Sequence, residues 1–388
     1  MRPTRPDTGG GARAAGVRRS DARGLAAALV TAALLAGCTP EEPVPAVPTE
    51  TTLRQIGIGF EDVVDDEQDW DAVEARLEAV RANAVSVSVG RVEWTGFRQE
   101  DHPDAAPALV RETERDFVAE ALAVLRADAA GEPRRITLSI DALVPAMIAD
   151  DERIAGRSND GEASDAFASA AALEGEVGDR IAALAEEVAL RYAPDEVNLT
   201  ELMFDASTFG DADLDSYRAA TGAEDWPREA GGAIDVDHES LGRWRSGVIA
   251  SVVERVAERV RPLGVQVSID VRIDRQRPEL GRPESGHDYR ALAGVADRLV
   301  LWNYFGMHDG GPGVSPLVTS SLPAAGVDPS RVLVQVGMWG ADESTPIEPG
   351  QLEEGLRLTA TNGVSMVGVT PMSMLDDADW AAIGRVWR

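Results

Sequence analysis

Eight short apolar runs, each followed by a stretch of helical character, constrain this chain more than any other feature. They read as strands at Arg54–Phe60, Ala84–Gly90, Arg135–Ala142, Glu196–Asp205, Val265–Ile273, Arg298–Phe305, Val332–Trp339 and Ser365–Pro371. Most are rich in Val and Ile, which favour strands. The clearest helical patterns are Trp70–Ala82, Arg111–Ala127, Val177–Tyr192, Leu241–Val260 and Gln351–Ala360. The helix after the sixth run is hard to place. Strand and helix in alternation imply parallel pairing through right-handed crossovers. Eight such units imply closure, so the expected fold class is α/β, a (β/α)8 TIM barrel. The alternative is an open doubly wound sheet. It is weakened because no G-x-G-x-x-G follows the first run.

The later runs start roughly every 30 to 35 residues, the size of a minimal βα unit. Connections after the second, third and fourth strands are longer: Arg91–Pro107, Val144–Ala168 and Ala206–Ser240. All three leave C-terminal strand ends, the face on which barrel enzymes build their sites. They carry Trp94, Phe97, Phe209, Tyr217 and Trp226, and so are expected to be ordered loops walling a cleft.

The N-terminus reads as a targeting segment. Basic residues Arg2 to Arg23 precede the apolar run Leu25–Ala36, which is too short to span a bilayer. Leu35-Ala36-Gly37-Cys38 has the pattern of a lipobox, and Cys38 is the only cysteine. The expected division is a lipoprotein signal peptide at 1–38, a flexible tether at 39–52 and a barrel at 53–388. The location expected is the outer face of the cell membrane, held through the lipid anchor alone. Net charge is −30; removing the leader, with six Arg and two Asp, leaves −34. Such a surface argues against nucleic acid and anionic lipid headgroups. It argues against a polyanionic substrate too, unless arginines cluster locally.

Strand interiors in a barrel are buried, so acids near their C-terminal ends stand out. Asp141 ends strand three, Glu201 and Asp205 end strand four, and Asp270 ends strand five. Glu201, Met203 and Asp205 alternate, and share one face if pairing continues. Glycoside hydrolysis needs one protonated and one ionised carboxyl across the scissile bond. The expected catalytic set is Asp205 as principal carboxyl, with Glu201 or Asp270 as partner. The expected substrate-binding set is Asp141, Trp302, Asn303, Tyr304, Gln335 and Trp339, with Trp94 as a further flat face for sugar rings. The bland alternative is that these acids cap helices or pair with Arg272 and Arg275. Four His without H-x-H or H-E-x-x-H, and no G-x-S-x-G, leave no metal, cofactor or serine nucleophile implied.

Asp195-Glu196-Val197-Asn198-Leu199-Thr200-Glu201-Leu202-Met203-Phe204-Asp205 is followed by Tyr217-Arg218, Thr221-Gly222, Trp226-Pro227, Trp244-Arg245 and Val267-Ser268-Ile269-Asp270-Val271. This set resembles the glycosyl-hydrolase-like family ten barrels. More loosely, it is similar to the glycosidase domain of exopolysaccharide-processing deacetylases. The resemblance implies a carbohydrate-linked barrel. It departs in having Thr200-Glu201 where the family has an aspartate-glycine pair. Asp195, Asn198, Thr200 and Leu202 fall where chitinases have D-x-x-D-x-D-x-E. Strand seven offers Gln335 and Trp339 rather than an acid, with Glu343 and Glu348 beyond it.

Three functions follow as expectations. One is an exported, lipid-anchored glycoside hydrolase acting on a neutral or cationic polysaccharide. Another is a non-catalytic carbohydrate-binding lipoprotein on a degenerate barrel; a third class, a structural spacer, uses no cleft. The anchor reading predicts that Cys38→Ser leaves the protein uncleaved or released from membranes, read by fractionation and mass. A variant still cut and membrane-bound contradicts it.

Overall fold

Alternation along the strands decides which side chains meet the helices and which fill the barrel. A computed structural model describes residues 46–308 and 310–387. The segment expected to be a signal peptide, Cys38 and residues 39–45 lie outside the described residues. The barrel strands are β1 (Leu53–Ile58), β2 (Ala84–Arg91), β3 (Arg135–Asp141), β4 (Glu196–Thr200), β5 (Gln266–Val271), β6 (Arg298–Asn303), β7 (Val332–Gly337) and β8 (Met366–Thr370). Each pairs in parallel with its sequence neighbours. β1 pairs with both β2 (Gln55 opposite Ala84) and β8 (Leu53 opposite Met366), which closes the ring. The fold is a (β/α)8 TIM barrel.

The crossover helices are α1 (Trp70–Ala79), α2 (Phe117–Leu125), α3 (Glu176–Tyr192), α4 (Glu239–Val260), α5 (Tyr289–Val295), α6 (Ser315–Ala325), α7 (Pro349–Thr359) and α8 (Asp377–Val386). Several begin at an acidic N-cap: Asp69, Asp116, Asp288 and Asp376 each accept a backbone N–H of the first turn. Helix α6 hides in the sequence because Ser315-Pro316-Leu317-Val318-Thr319-Ser320-Ser321-Leu322-Pro323 carries no charge and two prolines. The single helix expected at Arg111–Ala127 is two. Ala108–Thr113 ends on Glu114 in the left-handed conformation (φ 55°), and α2 restarts after Asp116.

Val85, Val87 and Val89 of β2, Ile136, Leu138 and Ile140 of β3, and Val267, Ile269 and Val271 of β5 are buried in the main hydrophobic core. Ile181, Leu184 and Val188 of α3 and Val248, Val252 and Val256 of α4 belong to the same core. Each such side chain contributes roughly 1.5–3 kcal/mol on burial. Above the floor the inward residues are largely polar, although a buried barrel strand favours apolar side chains. Ser86, Ser139, Asn198 and Asp270 point inward, and Ser86 Oγ lies 2.8 Å from Ser139 Oγ. Only at the N-terminal floor do Leu53, Val300, Leu333 and Met366 form a small separate apolar cluster. Beside it Glu196, 1% exposed, meets Arg135 Nη2 at 2.9 Å and Arg298 Nη1 at 2.6 Å, and accepts from Ser268 Oγ at 2.7 Å.

The long loops hold structure of their own. The loop after β3 contains the antiparallel hairpin Ala155–Arg157 with Ala163–Ala168, and the loop after β4 contains the helix Asp211–Thr221. Phe209, Tyr217, Trp226 and Trp244 pack with ring centroids 4.9–5.7 Å apart. These aromatics pack as part of the main core, with Phe209 at its edge, instead of walling a cleft. Phe97 is fully buried against Tyr192, and Trp94 packs on Phe60.

The last residues assigned to the tether belong with the barrel. Thr49 N donates to Ala360 O and Thr52 N to Ser365 O, both at 2.8 Å. This attachment is at the N-terminal strand ends, opposite the barrel mouth.

Glu196→Ala strands two arginines beside the floor, so it should lower stability by about 3–5 kcal/mol. Glu114→Gln, which breaks an exposed pair with Arg98, should cost less than about 1 kcal/mol. Urea unfolding of both variants checks this; equal, small effects would remove the floor ion cluster from the account.

Candidate active site

Strand β4 stops at Thr200 because Glu201 takes a left-handed backbone conformation (φ 55°). This region costs a non-glycine residue of order 1 kcal/mol. Glu201 and Met203 share the mouth as expected, and Asp205 departs from the alternation. Leu202 and Phe204 bury into the core, and Phe204 N bonds Ser285 O at 3.0 Å. Asp205 is left on the outer rim, its side chain 63% exposed and 3.5 Å from Arg272 Nη1. The expected principal carboxyl is therefore not among the residues lining the mouth.

A cleft of about 680 Å³ opens there. Glu201 and Asp270 line it, as do Trp302, Tyr304, Gln335 and Trp339. The sequence reading missed Asn198, Thr200, Arg272, Arg275 and Arg282, which also line it. For the first two a signal was present. In Glu196-Val197-Asn198-Leu199-Thr200 every second residue is polar, the period that sends a side chain into the lumen.

Asp270 is buried and held by donors. Asn198 Nδ2 donates to its Oδ1 at 2.9 Å, and Thr200 and Trp302 also donate to the carboxylate. Burial pushes it up to about 6 against the pull of these donors. Glu201 makes no hydrogen bond among the described residues. Burial, then the charges of Asp141 and Asp270, push it up to about 7. Asp141 does not line the cleft; it is paired with Arg91 and accepts from Leu143 N at 2.8 Å. Burial raises its pKa and Arg91 opposes the shift.

Trp302 and Tyr304 stack at 5.4 Å and 11°, and Tyr304 meets Trp339 at 4.9 Å. The platform depends on Gly337, where a Cβ would sit 2.3 Å from the Tyr304 ring. Asn303 lies between these two rings in sequence but on the opposite face. Its Nδ2 donates to Ser315 Oγ at 2.8 Å and Thr359 Oγ1 at 3.2 Å, binding β6 to α6 and α7. It does not reach the cleft, and Trp94 does not line it either. His287 fastens the mouth: its Nδ1 accepts from Arg272 N at 3.0 Å and its Nε2 donates to Leu202 O at 3.1 Å. Burial pushes it down to about 4, so the ring stays neutral and ties the turn after β4 to the end of β5.

Among the described residues, no group of three or more His, Cys, Asp or Glu is placed to hold a metal ion. No helix there is long and apolar enough to cross a membrane.

No protein-family model matches this chain, and no curated protein does. Solved structures do match. The glycoside hydrolase domain of PgaB (BpsB) from Bordetella bronchiseptica matches with TM-score 0.65 and 13% identity, over 86% of this chain and 98% of that one. A catalytic mutant of Gan42B, a GH42 β-galactosidase from G. stearothermophilus, matches with TM-score 0.60 and 11% identity, over 88% and 57%. A β-galactosidase from a Rahnella species matches with TM-score 0.58 and 12% identity, over 84% and 52%. The chain thus has a glycoside-hydrolase-like (β/α)8 barrel fold.

Proposed function

We propose that this protein is an exported, lipid-anchored glycoside hydrolase that cleaves a glycan by carboxyl acid/base chemistry, a member of the family ten group that it resembles. One observation carries the reading: a buried carboxyl, Asp270, and a half-buried one, Glu201, in unlike settings line one cleft beside a stacked aromatic platform. Glu201, with no donor, is the general acid. Asp270, with three donors, is the ionised partner. Environments that push two carboxyls apart assign their roles. Trp302, Tyr304 and Trp339 give sugar rings flat apolar faces, and Gln335 gives a hydroxyl a partner. The −34 charge favours a neutral or cationic polysaccharide backbone and disfavours nucleic acid. A tether joined to the floor would turn the mouth away from a membrane.

The reaction needs Glu201 protonated and Asp270 ionised. Activity should fall above about pH 7 as Glu201 loses its proton, and below about pH 6 as Asp270 gains one. The two values belong to the coupled pair. Glu201→Gln should lower kcat roughly 10²- to 10⁴-fold on any glycan the protein cleaves. Its folded pKa lies above the unfolded one, so ionising Glu201 destabilises the fold. That penalty is absent below about pH 4 and complete above about pH 7. Glu201→Gln should therefore unfold no earlier than wild type at pH 8. A panel of glycans, scored for binding and released sugar, tests the activity, and thermal unfolding of both proteins at pH 8 tests the stability. A variant keeping more than about a tenth of the activity removes Glu201 as the acid.

A second reading draws on Gln335, which lines the cleft from β7, a strand without an acid. A carbohydrate-binding lipoprotein would bind glycans from that panel and release no sugar.

A further inference from the structure

Three arginines, Arg272, Arg275 and Arg282, line the cleft from the segment after β5. On a chain this acidic, three guanidinium groups at one mouth are a local reversal of charge. The cleft's acids are also three, and one of these is Glu201, neutral when it serves as acid.

Partners explain two of the three arginines only in part. Arg272 meets the exposed Asp205 at 3.5 Å, and Arg282 Nε meets Glu284 at 2.7 Å. Arg275 has no carboxylate partner among the described residues. Its Nη2 donates to Tyr304 O at 3.0 Å, and its Nη1 is buried with no hydrogen-bond partner there. A buried, unsatisfied donor on a cation costs several times an ordinary hydrogen bond. Arg275 also lines the cleft, so its uncompensated charge is open to an anion beside the platform of Trp302 and Tyr304. The segment is also held in place. Tyr289 OH donates to Arg272 O at 2.9 Å, and Arg282 N donates to His287 O at 2.8 Å.

We infer that this rim is a subsite for a carboxylate on a sugar, with Arg275 as its main contact and Arg272 and Arg282 beside it. The inference rests on the carbohydrate reading of the cleft and sharpens it. Guanidinium forks match carboxylates in plane and spacing, which an ammonium would not do. A long polyanion would meet the repulsion of a chain whose net charge is −30. The fitting substrate is a mainly neutral or cationic glycan with sparse acidic units, one of which docks on the rim while a neighbouring ring stacks on the platform.

The test uses the full chain in detergent and two probes: a glucuronate-containing oligosaccharide and the same oligosaccharide with its carboxyl reduced to the alcohol. Calorimetry should show the acidic form binding about ten- to a hundred-fold more tightly, the range of a charge-assisted hydrogen bond. Arg275→Met should bring the ratio to within two-fold of one. Arg282→Gln, on the more exposed rim, should lower the ratio by a smaller factor, and serves if Arg275→Met does not fold. Equal binding of both probes by the wild type overturns the carboxylate subsite and leaves the carbohydrate reading intact. So does a ratio that neither variant changes. Binding of neither probe overturns both readings.

Discussion

Withdrawal of two carboxyls from water, Asp270 buried and Glu201 half-buried, at the open end of a closed strand ring is the constraint on which the mouth depends. A buried carboxylate is costly unless donors hold it. Asn198, Thr200 and Trp302 hold Asp270, and all three reach it because alternate residues of β4 and β6 point into one lumen. Glu201 has no such support, and its cost shows in its raised pKa and in its left-handed backbone. The two groups are a strand apart and differ in what surrounds them, and that difference is the basis for assigning them different roles.

The rest of the barrel keeps this pair in position. The outward Val, Ile and Leu residues bind the strands to the helices. The inward Ser, Thr and Asn residues leave the lumen polar and narrow. The floor is closed by an apolar cluster and by Glu196 between Arg135 and Arg298. Neutral His287 ties the turn after β4 to the end of β5, so the backbone beside Glu201 and the backbone after Asp270 are held by one ring.

Strand order was legible because eight short apolar runs, each followed by a helical stretch, have few ways to pack. The mouth was less so. Leu202, Met203 and Phe204 continue the apolar pattern of β4, and nothing in composition marks the φ reversal at Glu201 that ends the strand. Asp205 therefore read as an inward residue when it is a rim residue. Asn303 could have been set aside from the sequence alone. Trp302 and Tyr304 share one face, so the residue between them must take the other. The aromatic loop residues read as cleft walls because exposure and burial are not separable in a loop without its partners. The arginine rim depends on how the 272–282 segment folds back, which no periodicity encodes.

The most direct measurement is a pH titration of side-chain carboxyl carbon resonances, with glutamate labelled at Cδ, in wild type and Glu201→Gln. The account predicts one glutamate titrating near pH 7, absent from the variant. If every glutamate titrates below about pH 5, near the unperturbed range, Glu201 is an ordinary ionised carboxylate and the proposed acid is lost.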